Sequence, residues 1–314
     1  MSGVAIEQLW GAGRMTPSTP KWLRGRTLII GVPWLWLGLF FLLPFLFILK
    51  ISLSEAALAQ PPYLDLIREV SDGLMTIKLN FGNYLFLLED PLYLQALWGS
   101  VKVATISTLL CLLLGYPMAY AIAKSPNHWR LPLLMLVILP FWTSFLIRVY
   151  AWIGILKNNG LLNQWLMSIG LIDTPLEIMH TPIAVYIGVV YSYLPFMVLP
   201  LYATLIRLDD TLLEAASDLG CKPWKQFMKI TWPLSMPGVL AGAMLVFIPV
   251  MGEFVIPDLL GGPETLMIGK LMWTEFFSNK DWPLASALAA VLLCVLIIPF
   301  VLLRHYERRT EEVL

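Results

Sequence analysis

Residues 27–49 read TLIIGVPWLWLGLFFLLPFLFIL, from Thr27 to Leu49, twenty-three positions without one ionisable side chain. A helix that crosses a bilayer needs about 20 predominantly apolar residues, so this stretch predicts a membrane span. Five further stretches read the same way: Val103 to Ala123, Leu131 to Leu156 around a lone Arg148, Thr181 to Ile206, Ile230 to Ile256 around a lone Glu253, and Trp282 to Leu303. The fifth is expected to start late, near Pro237. Composition agrees, with 58% hydrophobic and 13% charged residues, more apolar surface than a soluble core of 314 residues could hide. The reading is an all-α integral membrane chain of six transmembrane helices.

Pro44, Pro117, Pro140, Pro195, Pro200, Pro249 and Pro299 fall inside these stretches. In water they would argue against long helices, but membrane helices tolerate them because neighbours satisfy the freed carbonyls. Ala57-Leu58-Ala59 looks like a signal cleavage site. The preceding apolar run exceeds the 7 to 15 residues or so of a signal peptide, so the first helix is expected to persist.

Basic residues set the orientation, because Lys and Arg are retained on the cytoplasmic side. With the N-terminus inside, the inner segments collect thirteen: Arg14, Lys21, Arg24 and Arg26; Lys124 and Arg130; Arg207, Lys222, Lys225 and Lys229; Arg304, Arg308 and Arg309. The outer segments hold six: Lys50, Arg68, Lys78, Lys157, Lys270 and Lys280. Both termini are therefore predicted to be cytoplasmic, with tails at residues 1–26 and 304–314 flanking a membrane domain at 27–303. The same partition leaves the outer face net negative by six, which would draw in cations and hold off anions or simply be a solvated surface.

In the outer segment after Lys50, Asp90-Pro91 supplies an N-cap and a first-turn proline for a helix leading into span two, expected along the membrane surface. Gly261-Gly262-Pro263 marks a turn beyond span five, and Glu264 to Phe277 has the spacing of a short outer helix. The total charge is balanced, so nothing points to nucleic acid. Cys111, Cys221 and Cys294 are widely spaced and read as small apolar fillers, and His128, His180 and His305 are solitary, so no metal site is expected.

The segment most rich in local signals is the inner loop 207–233. Thr211 with Glu214 three residues on forms a capping box, so a helix is expected from Thr211. Gly220 suits the left-handed position that ends it, and Pro223 suits the first turn of a second helix running to Pro233. Leu212, Leu213, Ala216 and Leu219 make an apolar stripe on the first helix, and Trp224, Phe227, Met228 and Ile230 crowd the second. A bare loop has little need for so much apolar surface.

Glu214-Ala215-Ala216, Gly220 six positions after the glutamate, Ile230 ten later and Pro233 three beyond resemble the EAA loop of ABC importer permeases. The leucine usual before that proline is Trp232 here. The resemblance covers nearly the whole chain and narrows to the spermidine/putrescine permeases. It is carried by Leu139-Pro140-Phe141-Trp142-Thr143-Ser144-Phe145-Leu146-Ile147-Arg148, by Gly252-Glu253-Phe254-Val255-Ile256-Pro257-Asp258-Leu259-Leu260-Gly261-Gly262, by Lys157-Asn158-Asn159-Gly160 and by Asp281-Trp282-Pro283, most similar to the putrescine-type subunit. The resemblance implies the type I importer permease fold and a coupling helix that docks on an ATPase through Glu214, Ala215, Ala216, Gly220, Ile230 and Pro233. It also implies a heterodimer with a second homologous permease, two ATP-binding subunits and a periplasmic polyamine-binding protein. The chain has no G-x-x-x-x-G-K-[ST] loop, so no cofactor is expected on it, and ATP and Mg belong to the partner subunits.

An ionisable residue at membrane depth is a functional candidate by default, which singles out Glu253. Its charge could meet a diammonium substrate, pair with Arg148, or sit exposed at the interface. Asp258 reads as an entry charge or a solvated loop residue. Trp142, Tyr191 and Tyr193 could line a polyamine route by cation–π attraction, or serve as interfacial aromatics. Related permeases carry ferric iron, sulfate or thiamine, which leaves the cargo open. A gradient-driven carrier would show repeated halves, which the sequence lacks, and a passive scaffold would leave the EAA loop without a purpose.

Overall fold

The computed structural model describes residues 25–71 and 74–311. The tail expected before residue 27 lies almost wholly outside them. Residues 1–49 and 50–314 form two units. The first holds α1 (Gly25–Leu37), a π-helical turn (Gly38–Leu42) and most of α2 (Leu43–Ser52), with the tilted rings of Trp36 and Phe40 at 4.1 Å between centroids.

The second unit is built on three long helices, α4 (Pro91–Lys124), α8 (Pro182–Leu205) and α11 (Trp232–Met251), each packed on the other two. Apolar side chains give no net drive for association in lipid, so close backbone approach through small residues has to hold such helices together. Gly238 and Gly242 on α11 do this against α8. A Cβ on Gly238 would stand 2.5 Å from Thr204 Oγ1, and one on Gly242 would stand 2.8 Å from Met197 Sδ. Gly115 makes the same kind of approach from α4, beside Met197 and Val198. A buried hydrogen bond of 2.9 Å between Tyr116 Oη and Ser235 Oγ ties α4 to α11.

Several expectations change. Span two and the helix predicted ahead of it are one uninterrupted helix from Pro91, not a surface helix followed by a span. Asp90 caps it, its carboxylate accepting from Leu92 N at 2.9 Å. Span three is broken. α5 (Asn127–Ile138) and a 3-10 turn (Leu139–Trp142) give way at Thr143–Ser144 to α6 (Phe145–Leu156), and the two rods meet at 90°. Pro140 can donate no backbone hydrogen bond, and the chain turns within one residue of that turn's end. Among the described residues, five helices are thus long and apolar enough to cross a membrane, or six if the bent pair counts as one span.

α7 (Leu161–Ser168) follows α6. The helix of span five does not start at Pro237: Pro237 is accommodated inside α11, and continuous helical structure runs from Pro223 to Met251. Beyond it come α12 (Val255–Leu260), α13 (Ile268–Trp273) and a π-helical turn (Thr274–Ser278). The outer helix expected from Glu264 therefore starts only at Ile268. α14 (Trp282–Glu311) continues well past the predicted span end at Leu303. The segment after Lys50 holds an antiparallel hairpin, β1 (Ile67–Ser71) with β2 (Leu74–Ile77), followed by α3 (Gly82–Glu89). Cys111 is buried, but Cys294 is exposed and so is not a core filler.

Candidate functional site

The loop between α8 and α11 folds as two short helices, α9 (Asp210–Asp218) and α10 (Pro223–Gln226), the second running through a π-helical turn (Phe227–Thr231) into α11. Its start differs from the expected capping box. Asp209 is the N-cap, accepting from Thr211 N at 3.0 Å, so Thr211 lies inside the helix. In the run Asp209-Asp210-Thr211 the first side chain able to reach a second-position amide takes it. That bond to Thr211 N holds the Asp209 carboxyl below its ordinary value of 3.8.

The end of α9 is as expected. Gly220 has φ of +75°, its amide bonds Ser217 O at 2.8 Å, and the next amide, of Cys221, bonds Ala216 O at 2.9 Å. This pair closes the helix and reverses the chain. Gln226 Nε2 then locks the two helices, donating to Ser217 Oγ and Cys221 O, each at 2.8 Å.

An aromatic knot joins the hairpin to the membrane helices. Phe227 meets Tyr116 edge-on at 5.5 Å and stacks on Trp224 at 5.9 Å, and Trp232 lies 5.3 Å from Tyr116. Lys124 at the end of α4 forms an ion pair with Asp210. Glu214, Ala215 and Gly220 are exposed, Ala216 and Ile230 half-buried, and Pro233 exposed. The apolar stripe is bare at Leu212 and Leu219 and half-buried at Leu213 and Ala216; Leu219 is 88% exposed, and Trp224 on the second helix 70%.

At the other end of α11, Gly252, Glu253 and Phe254 separate it from α12. Glu253 is buried, and its oxygens are fully engaged without a cation. Oε2 accepts from Tyr193 Oη at 2.5 Å, and Oε1 accepts from the amides of Phe254, Val255 and Ile256 at 3.1, 2.9 and 3.4 Å. The pairing with Arg148 weighed from the sequence does not occur, since among the described residues no Lys or Arg forms a salt bridge to Glu253. Arg148 instead faces the rings of Phe141 and Phe145, at 5.1 and 5.8 Å from their centroids.

The other sequence candidates scatter around this point. Tyr193 contacts Phe196 at 6.0 Å, and Phe196 meets Phe141 edge-on at 5.2 Å. Tyr191 packs on Trp152 at 5.3 Å, and Trp142 is largely exposed. Asp258 is paired with Lys270 at 2.9 Å.

Sequence reasoning missed a second buried carboxylate. Glu275, counted with the solvated outer acids, is buried and accepts from Tyr93 Oη and Asn279 Nδ2, each at 2.8 Å. Tyr93 is 182 positions away, so no local pattern could have revealed the pair. Beside it, a cavity of about 930 Å³ opens between the loop at Ala57–Pro62 and the rings of Phe276, Phe277 and Trp282.

Residues 22–312 match the family described as binding-protein-dependent transport system inner membrane component. The chain is 45% identical over 263 residues to the spermidine/putrescine transport system permease protein PotB of Escherichia coli, covering 83% of this chain and 90% of that protein. It is 41% identical over 265 residues to the PotB of Haemophilus influenzae, with 83% and 88% covered. Among solved structures, a chain of a bacterial alginate ABC transporter superposes with a TM-score of 0.67 at 16% identity, over 90% of this chain and 93% of that one, a likeness of fold. The multi-pass helical core, the ordered hairpin and these matches make one statement: the chain belongs to the family of binding-protein-dependent transport system inner membrane components.

Proposed function

We propose that this chain is the permease subunit of an ATP-driven importer of polyamines, the spermidine/putrescine class named in its relatives. It spans the inner membrane many times and moves substrate by alternating access. It is one half of a permease heterodimer that works with ATP-binding subunits and a periplasmic binding protein. ATP and Mg are held by those partners, and this chain is not itself catalytic.

The observation that carries the reading is the hairpin at 207–233, an ordered helix–turn–helix that presents Leu219 and Trp224 bare while fastened by Phe227, Trp232 and Tyr116 to the transmembrane core. Large exposed apolar side chains rimmed by charge are what a docking surface needs. Glu214, Ala215, Ala216, Gly220, Ile230 and Pro233 form the grip for the ATPase. This requires the hairpin, and with it both termini, to be cytoplasmic, an orientation supported by the excess of Lys and Arg in the same segments.

For the cargo, Glu253 supplies a buried carboxylate that no cation neutralises, beside Tyr193, Phe196 and Phe141, which suits an alkylammonium group. In this reading substrate takes the place of the Tyr193 hydroxyl on Glu253, Tyr191 and Trp142 line the approach, and Asp258 at the outer end draws cations in.

The test is uptake of labelled putrescine, with spermidine as competitor, by the complete importer in vesicles. Inactivating ATP hydrolysis in the partner is expected to abolish uptake, and E253Q is expected to raise KM while the complex still assembles. Uptake driven by a proton gradient alone would refute the reading.

A further inference from the structure

Arg148 is the one ionisable residue within the third apolar stretch, and its surroundings leave it unsatisfied. Its Nε and Nη1 are buried and have no acceptor. The Phe141 and Phe145 rings beside it offer π-faces but no lone pairs for those N–H groups. A guanidinium cannot relieve itself by losing its proton. Arg148 as a whole is half-buried, so the cost falls on these two N–H groups and not on the entire guanidinium, and an acceptor supplied in another state of the protein would relieve it.

That acceptor lies within this chain's own fold. On α6, Phe145, Arg148, Val149 and Trp152 are buried or half-buried, whereas Leu146, Ile147 and Tyr150 are exposed, so Arg148 sits on the inward face. The helix packs against α8 and α12. Glu253 caps the amides at the start of α12, and the rings of Phe141, Phe196 and Tyr193 run in contact from Arg148 to it. A cation without an anion and an anion without a cation thus occupy adjoining elements, and α6 begins at the Thr143–Ser144 break.

We propose that Arg148 is a tethered stand-in for the substrate's ammonium group. When α6 swings about the break and Glu253 holds no substrate, the guanidinium takes the Glu253 oxygen that Tyr193 holds in this structure. Arg148 then competes with the polyamine, which speeds substrate release and keeps small inorganic cations off the carboxylate. The inference rests on the reading of Glu253 as a substrate contact.

The complete importer, with its second permease, ATPase subunits and binding protein, is reconstituted in vesicles, and KM and kcat for putrescine uptake are measured for R148M, R148K, E253Q and R148M/E253Q. Removing the competitor in R148M is expected to lower KM by about three- to tenfold, the net scale of one intramolecular hydrogen bond, and to lower kcat because release slows. In the E253Q background R148M is expected to leave KM where E253Q put it. A fall in kcat with KM unchanged, or additive effects in the double variant, overturns the proposal in favour of a packing role. If R148M does not assemble, R148K decides: its shorter, single-point ammonium is expected to lower KM in part, and an unchanged KM overturns the proposal. If E253Q leaves KM unchanged, the substrate reading of Glu253 itself fails; if E253Q raises KM while neither Arg148 variant moves it, only the stand-in role fails.

Discussion

Replacing Gly220 tests whether the shape of the hairpin at 207–233, and not merely its presence, transmits ATP energy. The residue sits at φ of +75°, where an L side chain brings its Cβ against the backbone at a cost of roughly 1–2 kcal/mol, most for a β-branched residue and least for Asn. No neighbouring atom lies within 4 Å of a Cβ built there, so the penalty is conformational and not a clash. If φ flips to escape it, the Gly220-to-Ser217 and Cys221-to-Ala216 bonds are lost together and α10 leaves its angle to α9. A cost of one to two kcal/mol shifts the closed hairpin population by roughly 5- to 30-fold. The assay is ATP-driven uptake in vesicles alongside co-purification of the ATPase. G220V is expected to cut coupled uptake by about that factor, whereas G220N, tolerant of the left-handed region, is expected to stay within about threefold of the parent. Equal behaviour of the two variants, or full uptake by G220V, would refute the reasoning, because side-chain chemistry at an exposed position would then matter more than backbone hand.

Three further outcomes are expected. Truncating the bare apolar pair, L219S with W224A, removes side chains each worth about 1.5–3 kcal/mol when buried, so ATPase co-purification should fall at least tenfold while membrane insertion is unchanged. G242L forces a branched side chain where a Cβ alone already meets Met197 Sδ at 2.8 Å, and overpacking of this kind costs about 1–3 kcal/mol, to be read as a lower melting temperature in detergent. The Asp209 cap, with its carboxyl held below the ordinary value in the folded state, stabilises α9 at every pH above about 3.8 and loses that contribution only as pH falls through the lower folded value. Amide exchange in α9 should therefore stay flat from pH 8 to 5 after correction for the intrinsic rate, and D209N, an equally good cap, should behave alike at neutral pH.

Much of this architecture was legible because the bilayer imposes simple rules. Charge-free length located the spans, and Asp90-Pro91 and Gly220 announced a helix start and a helix end through local chemistry that the backbone then obeyed. The break in span three was not legible in the same way. Hydropathy integrates over Leu131 to Leu156 and is blind to direction, so Pro140 read as a tolerated proline and Thr143–Ser144 drew no structural reading. The start of α9 was ambiguous because three adjacent residues can all cap, and the choice of Asp209 depends on a backbone angle that no spacing encodes. The surroundings of Glu253 and Glu275 depend on tyrosines 60 and 182 positions away, brought in by helix packing. Residue type flagged Glu253 as costly, but only the fold could say that a hydroxyl and three amides bear that cost here.

The two candidate sites lie at opposite ends of one rod, and this gives their relation a mechanical form. Helical structure runs from Pro223 to Met251, 29 residues or about 43 Å at 1.5 Å per residue. Its closest approach to α8 is at Gly238 and Gly242, near the middle. From Phe227 to that contact is about 20 Å, and from the contact to Gly252 about 18 Å, so a tilt about the glycines moves the Glu253 end nearly as far as the hairpin end, in the opposite sense. The glycines permit such a pivot because they set no side chain of their own against the Thr204 and Met197 side chains that pack on them, and the π-helical turn at Phe227–Thr231 is the softest place for the rod to lose motion. A displacement of a few ångströms imposed on the hairpin then suffices to pull the α12 cap away from Tyr193, since a hydrogen bond of 2.5 Å does not survive even one ångström of stretch as a strong bond.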